Sequence, residues 1–143
     1  MQIVSVKKRL DAPAATVWNI VSQGGGVDRW LPIIATCHLD GSGPGARRAC
    51  TTAQGQRIDE TIETVDHASR IFQYRIDRQE MMPVTNLLGT LHVAEDSNGM
   101  AEVLWFLNYD LVDVAAADAV RAGIAGIYAA GLAGLERFAR EAT

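Results

Sequence analysis

Cysteine is scarce in this chain. Its 143 residues include two, Cys37 and Cys50, and they form no CxxC pair. A zinc site needs more ligands at tighter spacing, so the two read as buried or half-buried reduced thiols in strands. Histidine is nearly as sparse: His38, His67 and His92 stand apart without HxH or HxxxH spacing, and no metal is expected. No GxSxG elbow supports a nucleophilic serine. No Lys-Ser or Lys-Thr follows Gly41-Ser42-Gly43-Pro44-Gly45, which is a turn and not a phosphate loop; no cofactor is expected. Excess positive charge is also missing. Lys plus Arg number 13 against 17 Asp plus Glu, a formal net charge of −4, and nucleic-acid binding needs the opposite sign to displace counterions. No apolar run approaches the ~20 residues that span a bilayer, so integral membrane contact is not expected. At the N-terminus Lys7-Lys8-Arg9 follow the apolar residues instead of preceding them, the reverse of a signal peptide, and a cytoplasmic location is expected. The length suits one domain over residues 1–143 with one core.

Hydrophobic spacing organises what is present. Residues 2–10 are rich in β-branched side chains and read as a strand. Asp11-Ala12-Pro13 reads as a helix start, with Asp11 as an acidic cap. Residues 14–22 place Val17, Trp18 and Val21 at helical spacing. Gly24-Gly25-Gly26 ends that helix, and residues 27–31 allow one more short turn. Alternating strands follow over 33–39, 46–52, 57–65, 70–77, 84–94 and 100–109, the last two joined by the hairpin signal Asp96-Ser97-Asn98-Gly99. Residues 114–140 read as one long helix with an apolar stripe of Ile124, Ile127, Tyr128, Gly131, Leu135 and Phe138. Gly123, Gly126, Gly131 and Gly134 each cost that helix about 1 kcal/mol against Ala, a cost tolerated where small residues meet a sheet or a cavity. Consecutive antiparallel strands make a curved sheet with one face to cover, and the last helix is the element long enough to cover it. A sheet curved around one helix leaves a space between them.

This order and several strings resemble the START-related and birch-pollen-allergen-like (SRPBCC) superfamily, in its bacterial polyketide cyclase/dehydrase-like branch. The carrying strings are Asp11-Ala12-Pro13-Ala14-Ala15-Thr16-Val17-Trp18, Trp30-Leu31-Pro32-Ile33 and Gly43-Pro44-Gly45-Ala46-Arg47-Arg48. Glu60 to Asp66, Phe72 to Ile76, Met82-Pro83-Val84-Thr85-Asn86, Val103-Leu104-Trp105 and Gly131 to Leu135 continue the series over essentially the whole chain. The resemblance implies an α+β helix-grip fold: a curved antiparallel sheet of about seven strands around a long C-terminal helix, with two short helices after the first strand. Its members include cyclases, dehydratases, lipid carriers and hormone receptors, so it points to a cavity more than to one activity.

Strand alternation assigns residues to the cavity. Ile58, Glu60, Ile62 and Thr64 share a face, opposite Arg57, Asp59, Thr61 and Glu63. Glu60 between two isoleucines needs a partner or a task, because an isolated buried carboxylate is costly. Arg48, on a face with Ala46 and Cys50, is its best partner, either as a buried ion pair or as a pair that anchors a ligand or handles a proton. Phe72, Tyr74 and Ile76 turn inward, Tyr74 as core or as hydrogen-bond donor to a ligand carbonyl. Leu87, Gly89, Leu91 and Val93 form the next inner face, and Ala101, Val103, Trp105, Leu107 and Tyr109 the last. Ile33, Ala35, Cys37 and Leu39 share a face on the second strand. Trp105 and Tyr109 are candidate wall residues, as are Ile124 and Tyr128 from the helix. Met81 and Met82 read as an adaptable rim, and Trp30 as a lid or a staple. The expected partner is a small, largely apolar organic molecule, polyketide-like or otherwise cyclic. A catalytic version would use Glu60 as acid or base, with Arg48 or Tyr74 steadying negative charge on an oxygen. The alternative is a lipid or small-molecule carrier or sensor that does no chemistry. A monomer or weak homodimer is expected.

Overall fold

The computed structural model describes residues 1–142. Strand β1 (Gln2–Pro13) leads into helix α1 (Ala14–Ser22) and a three-ten turn at Val27–Arg29. Six strands follow in series: β2 (Ile34–Asp40), β3 (Arg47–Thr52), β4 (Arg57–Asp66), β5 (Ile71–Gln79), β6 (Val84–Glu95) and β7 (Met100–Leu111). A three-ten turn at Val114–Ala116 then opens helix α2 (Ala117–Glu141). All pairings are antiparallel and the sheet order is β1-β7-β6-β5-β4-β3-β2. This is the α+β helix-grip architecture.

The period-two pattern holds best in β7, where Ala101, Val103, Trp105, Leu107 and Tyr109 are all buried and alternate with half-buried neighbours. In α2 the inward side carries Val120, Ile124, Tyr128, Gly131, Leu132, Leu135 and Ala139, while Ile127 and Phe138 lie half-buried at its edges. The helix rests chiefly on β1 and is pinned there by Glu136, which accepts from the backbone N–H of Asp11 (2.6 Å) and pairs with Lys8 (3.8 Å). No helix among the described residues is long and apolar enough to cross a membrane.

Four expectations need correction. Asp11 does not cap α1: β1 runs on to Pro13, which takes the cap position, and Asp11 is engaged with Glu136. In β2 a bulge between Ile34 and Thr36 moves Ile34 inward and leaves Ala35 exposed, so Ala35 does not share the face of Cys37 and Leu39. In β4 a second irregularity between Ile62 and Thr64 hands the inner position to Val65, which pairs with Phe72, while Thr64 bonds the Gln73 side chain. Thr61 stands on the face opposite Glu60, where alternation predicts exposure to solvent, yet it is buried and donates to Asp77 (2.6 Å).

Candidate functional site

Between the sheet's inner face and α2 lies a cavity of about 110 Å³. Its apolar wall comes from every layer. Ile58, Phe72, Leu87 and Trp105 project from four strands, Ile124 and Tyr128 from α2, and Trp30 from the segment after α1. Met81 and Met82 line it where β5 turns into β6. That turn is braced by Gln79, whose amide oxygen accepts from both methionine N–H groups (2.8 and 2.9 Å) and whose amide nitrogen donates to the Met82 carbonyl (2.8 Å).

The polar groups of the cavity converge on one region. Arg48 and Glu60 are direct partners in the β3–β4 register. Arg48 Nε donates to Glu60 Oε1 (2.7 Å) and Nη1 donates to the Gly24 carbonyl (2.6 Å). The guanidinium carbon also stands 5.1 Å from the Tyr74 ring centre and 5.8 Å from that of Phe72, within reach of the ring quadrupoles. Both charged residues are buried, Arg48 at 6% and Glu60 at 8% exposure. Burial opposes the Arg48 charge, but Glu60 beside it prevails and holds the guanidinium protonated.

Beside this pair sits an aromatic cluster with two hydroxyls. Trp105 stacks on Tyr128, with ring centres 3.9 Å apart and planes 10° from parallel. The Tyr74 and Tyr128 hydroxyls are 2.8 Å apart, and Trp105 Nε1 donates to the Tyr74 oxygen (3.1 Å). Burial, with the Glu60 charge behind it, pushes the Tyr74 phenol up to about 12; burial and then the Tyr74 contact raise Tyr128 well above the usual range. Both phenols are therefore neutral donors at ordinary pH.

Gly89 makes this cluster possible. It lies between Tyr74 on β5 and Leu107 on β7 in the sheet register. A Cβ there would stand 2.2 Å from the Tyr74 ring, so the phenol lies across β6 where any side chain would stop it. A glycine in the middle of an alternating strand was the available sign of a close approach.

The structure thus brings together Arg48, Glu60, Tyr74, Trp30, Ile58, Phe72, Met82, Leu87, Trp105, Ile124 and Tyr128 around one space. Ile62 and Tyr109 belong elsewhere. Both are almost fully buried but stand outside the cavity wall. Ile62 packs beneath Gly24, and Tyr109 lies one inner position beyond Leu107, toward the start of α2. Spacing had missed the contribution of the segment after β1: Ile20, Val21, Val27 and Leu31 also line the cavity, and the Gly24 carbonyl anchors Arg48. Helical spacing at Val17, Trp18 and Val21 was the sign that this helix had an inner side.

A family model described as polyketide cyclase / dehydrase and lipid transport matches residues 1–140. No curated protein matches the chain. Among solved structures, protein XoxI from Bacillus cereus is 26% identical with a TM-score of 0.84, covering 96% of this chain and 94% of its own. Norcoclaurine synthase from Thalictrum flavum, solved with dopamine and hydroxybenzaldehyde, is 17% identical with a TM-score of 0.81, over 99% of this chain and 88% of its own. Ginseng major latex-like protein 151 from Panax ginseng, at 12% identity and a TM-score of 0.81, covers 96% of each chain. The last two share the fold. With the family match spanning nearly the whole sequence, this chain belongs to the polyketide cyclase/dehydrase and lipid transport family, within the START-related, birch-pollen-allergen-like superfamily.

Proposed function

We propose that this protein binds one small, largely apolar organic molecule bearing a hydroxyl group, with the hydroxyl at the Arg48–Glu60 pair and the apolar body against Trp105, Leu87 and Ile58. The carrying observation is an apolar cavity whose charged side chains meet at one point. At that point Glu60 Oε1 is engaged by Arg48, while Oε2 makes no hydrogen bond among the described residues and keeps some accessible surface. Arg48 uses Nε and Nη1 and leaves Nη2 in the same condition. An open acceptor beside an open donor suits a group that both gives and takes a hydrogen bond. Size supports a compact ligand: at about 110 Å³ the cavity is smaller than the ~150 Å³ apolar cavity that takes up benzene, so one substituted ring fills it. A multi-ring, polyketide-like molecule would have to displace Met81 and Met82, the flexible part of the wall.

Fluorescence titration of the tryptophans with p-cresol and toluene tests this reading. p-Cresol is expected to bind about tenfold more tightly, the value of one good buried hydrogen bond. Leu87→Trp, which fills the cavity, is expected to abolish binding of both. Equal affinity for the two arenes, or binding that survives the filled cavity, overturns the proposal. Native mass spectrometry of freshly purified protein would identify a retained ligand directly.

A second reading adds chemistry, and the free Glu60 Oε2 favours it. That oxygen would take a proton from carbon beside a ligand carbonyl, while Arg48 and Tyr74 hold the oxygen that becomes negative, as in aldol-type cyclisation or dehydration. Under this reading Glu60→Gln abolishes turnover of a true substrate while arene binding persists. Unchanged turnover in Glu60→Gln excludes it and leaves the carrier or sensor role.

A further inference from the structure

Neither reading of the cavity uses the two cysteines, yet the fold brings them together from different strands. Cys37 on β2 is the direct register partner of Cys50 on β3, and their sulfurs are 2.7 Å apart. Facing residues on antiparallel strands hold their Cα atoms about 4.5–5.5 Å apart, inside the ~4.4–6.8 Å span that a disulfide accepts. A bond between these sulfurs therefore needs side-chain rotation and no change of register. β2 is also the edge strand of the sheet, paired among the described residues with β3 alone.

The two thiols are unequal. Cys37 is half-buried, while Cys50 is buried and its side chain lines the cavity. The Cys50 thiol donates to the Cys37 sulfur. That bond, with Arg48 assisting, holds Cys37 below the ordinary thiol range, whereas the same contact and burial push Cys50 up. Cys37, the more reachable sulfur, meets an incoming oxidant first, and its partner waits in contact with it.

We propose that Cys37 and Cys50 form a redox-active dithiol that a hydroperoxide converts to an intramolecular disulfide. The Cys37 thiolate attacks the outer peroxide oxygen, the O–O bond breaks, and the leaving oxygen departs as water or alcohol after taking a proton. Cys37 is then a sulfenic acid. Cys50 sulfur attacks the Cys37 sulfur, the S–S bond forms, and the sulfenic oxygen leaves as water with the Cys50 proton. Two thiols lose two electrons in all, and the O–O bond accepts them. A small dithiol reductant reverses the change by exchange. The product ties the edge strand to β3 at a residue of the cavity wall.

Treatment of the reduced protein with one equivalent of hydrogen peroxide, followed by iodoacetamide and intact-mass measurement, tests the proposal. The wild type is expected to lose about 2 Da, take up no alkyl group, and regain both thiols with dithiothreitol. Cys50→Ser is expected to gain about 16 Da at Cys37, and Cys37→Ser to remain unoxidised at the same dose. Far-UV circular dichroism checks that each variant is folded, and the wild-type mass stands without them. A wild type that still takes up two alkyl groups, gains oxygen without losing 2 Da, or links into disulfide dimers overturns the proposal.

Discussion

At Arg48 and Glu60 the sheet register places opposite charges face to face inside an apolar wall. Removing one charge strands the other, a loss of about 3–5 kcal/mol. Arg48→Met alone is therefore expected to lower urea stability by that amount, while Arg48→Met with Glu60→Leu recovers most of it. If the double variant is no more stable than the single one, the pair is not the electrostatic unit described. Gly89 leaves no room for a side chain, because an added Cβ would lie 2.2 Å from the Tyr74 ring. Gly89→Ala is expected to cost at least the ~1–3 kcal/mol of an overpacked core, seen as a lower urea midpoint with an altered Trp105 emission. The phenols make stability depend on alkaline pH. Burial raises Tyr74 from its ordinary value of 10 to about 12, so the folded state holds that proton more tightly than the unfolded chain. Its stabilising share is complete below pH 10 and is lost as pH climbs toward 12. Tyr74→Phe is expected to flatten the fall of urea stability between pH 9.5 and 11.5, and an unchanged slope would contradict the buried-phenol assignment.

Helix α2 sorts its glycines by what lies opposite each one. A Cβ on Gly134 would sit 1.9 Å from the Trp30 carbonyl oxygen, and one on Gly131 would lie 2.7 Å from both Leu31 and Trp105. At exposed Gly126 nothing stands within 4 Å. Alanine favours a helix interior by about 1 kcal/mol over glycine. Gly126→Ala is thus expected to raise stability by up to that amount, whereas Gly134→Ala is expected to lower it despite the same propensity gain. Equal effects in denaturant melts would mean that α2 does not approach the Trp30 segment this closely. Strands and helices were legible from sequence because each keeps one face dry over many residues, so period two or 3.6 survives in the letters. The Arg48–Glu60 pair was legible for the same reason, as was the inward turn of Tyr74. The bulges in β2 and β4 were not, because one extra residue shifts the phase without leaving a distinctive composition, and Ala35 and Thr64 were misplaced with it. Ile62 and Tyr109 show a further gap. Alternation tells which face a residue is on, but the extent of a cavity along that face depends on how the helix lies over it.

At the scale of the molecule, a small apolar hollow lets a bound ligand add to the stability of the fold. A compound binding the folded state alone stabilises it by about 2.7 kcal/mol at a hundredfold excess over Kd, which for a domain of this size is a Tm rise of roughly 10 °C. p-Cresol is expected to produce such a rise in the wild type and none in Leu87→Trp, measured by calorimetry. The strand order has a different outcome, one that belongs to time. β1 has its partner in β7, so once synthesised it must wait for residues 100–111 before it can dock. Every other strand pair is joined by a short connection, and the longest loop closure is left to the first and last strands. Assembly should therefore finish at the β1–β7 pair, and a chain stopped ahead of Met100 would carry β1 unpaired, with exposed hydrogen-bonding groups and a reason to aggregate.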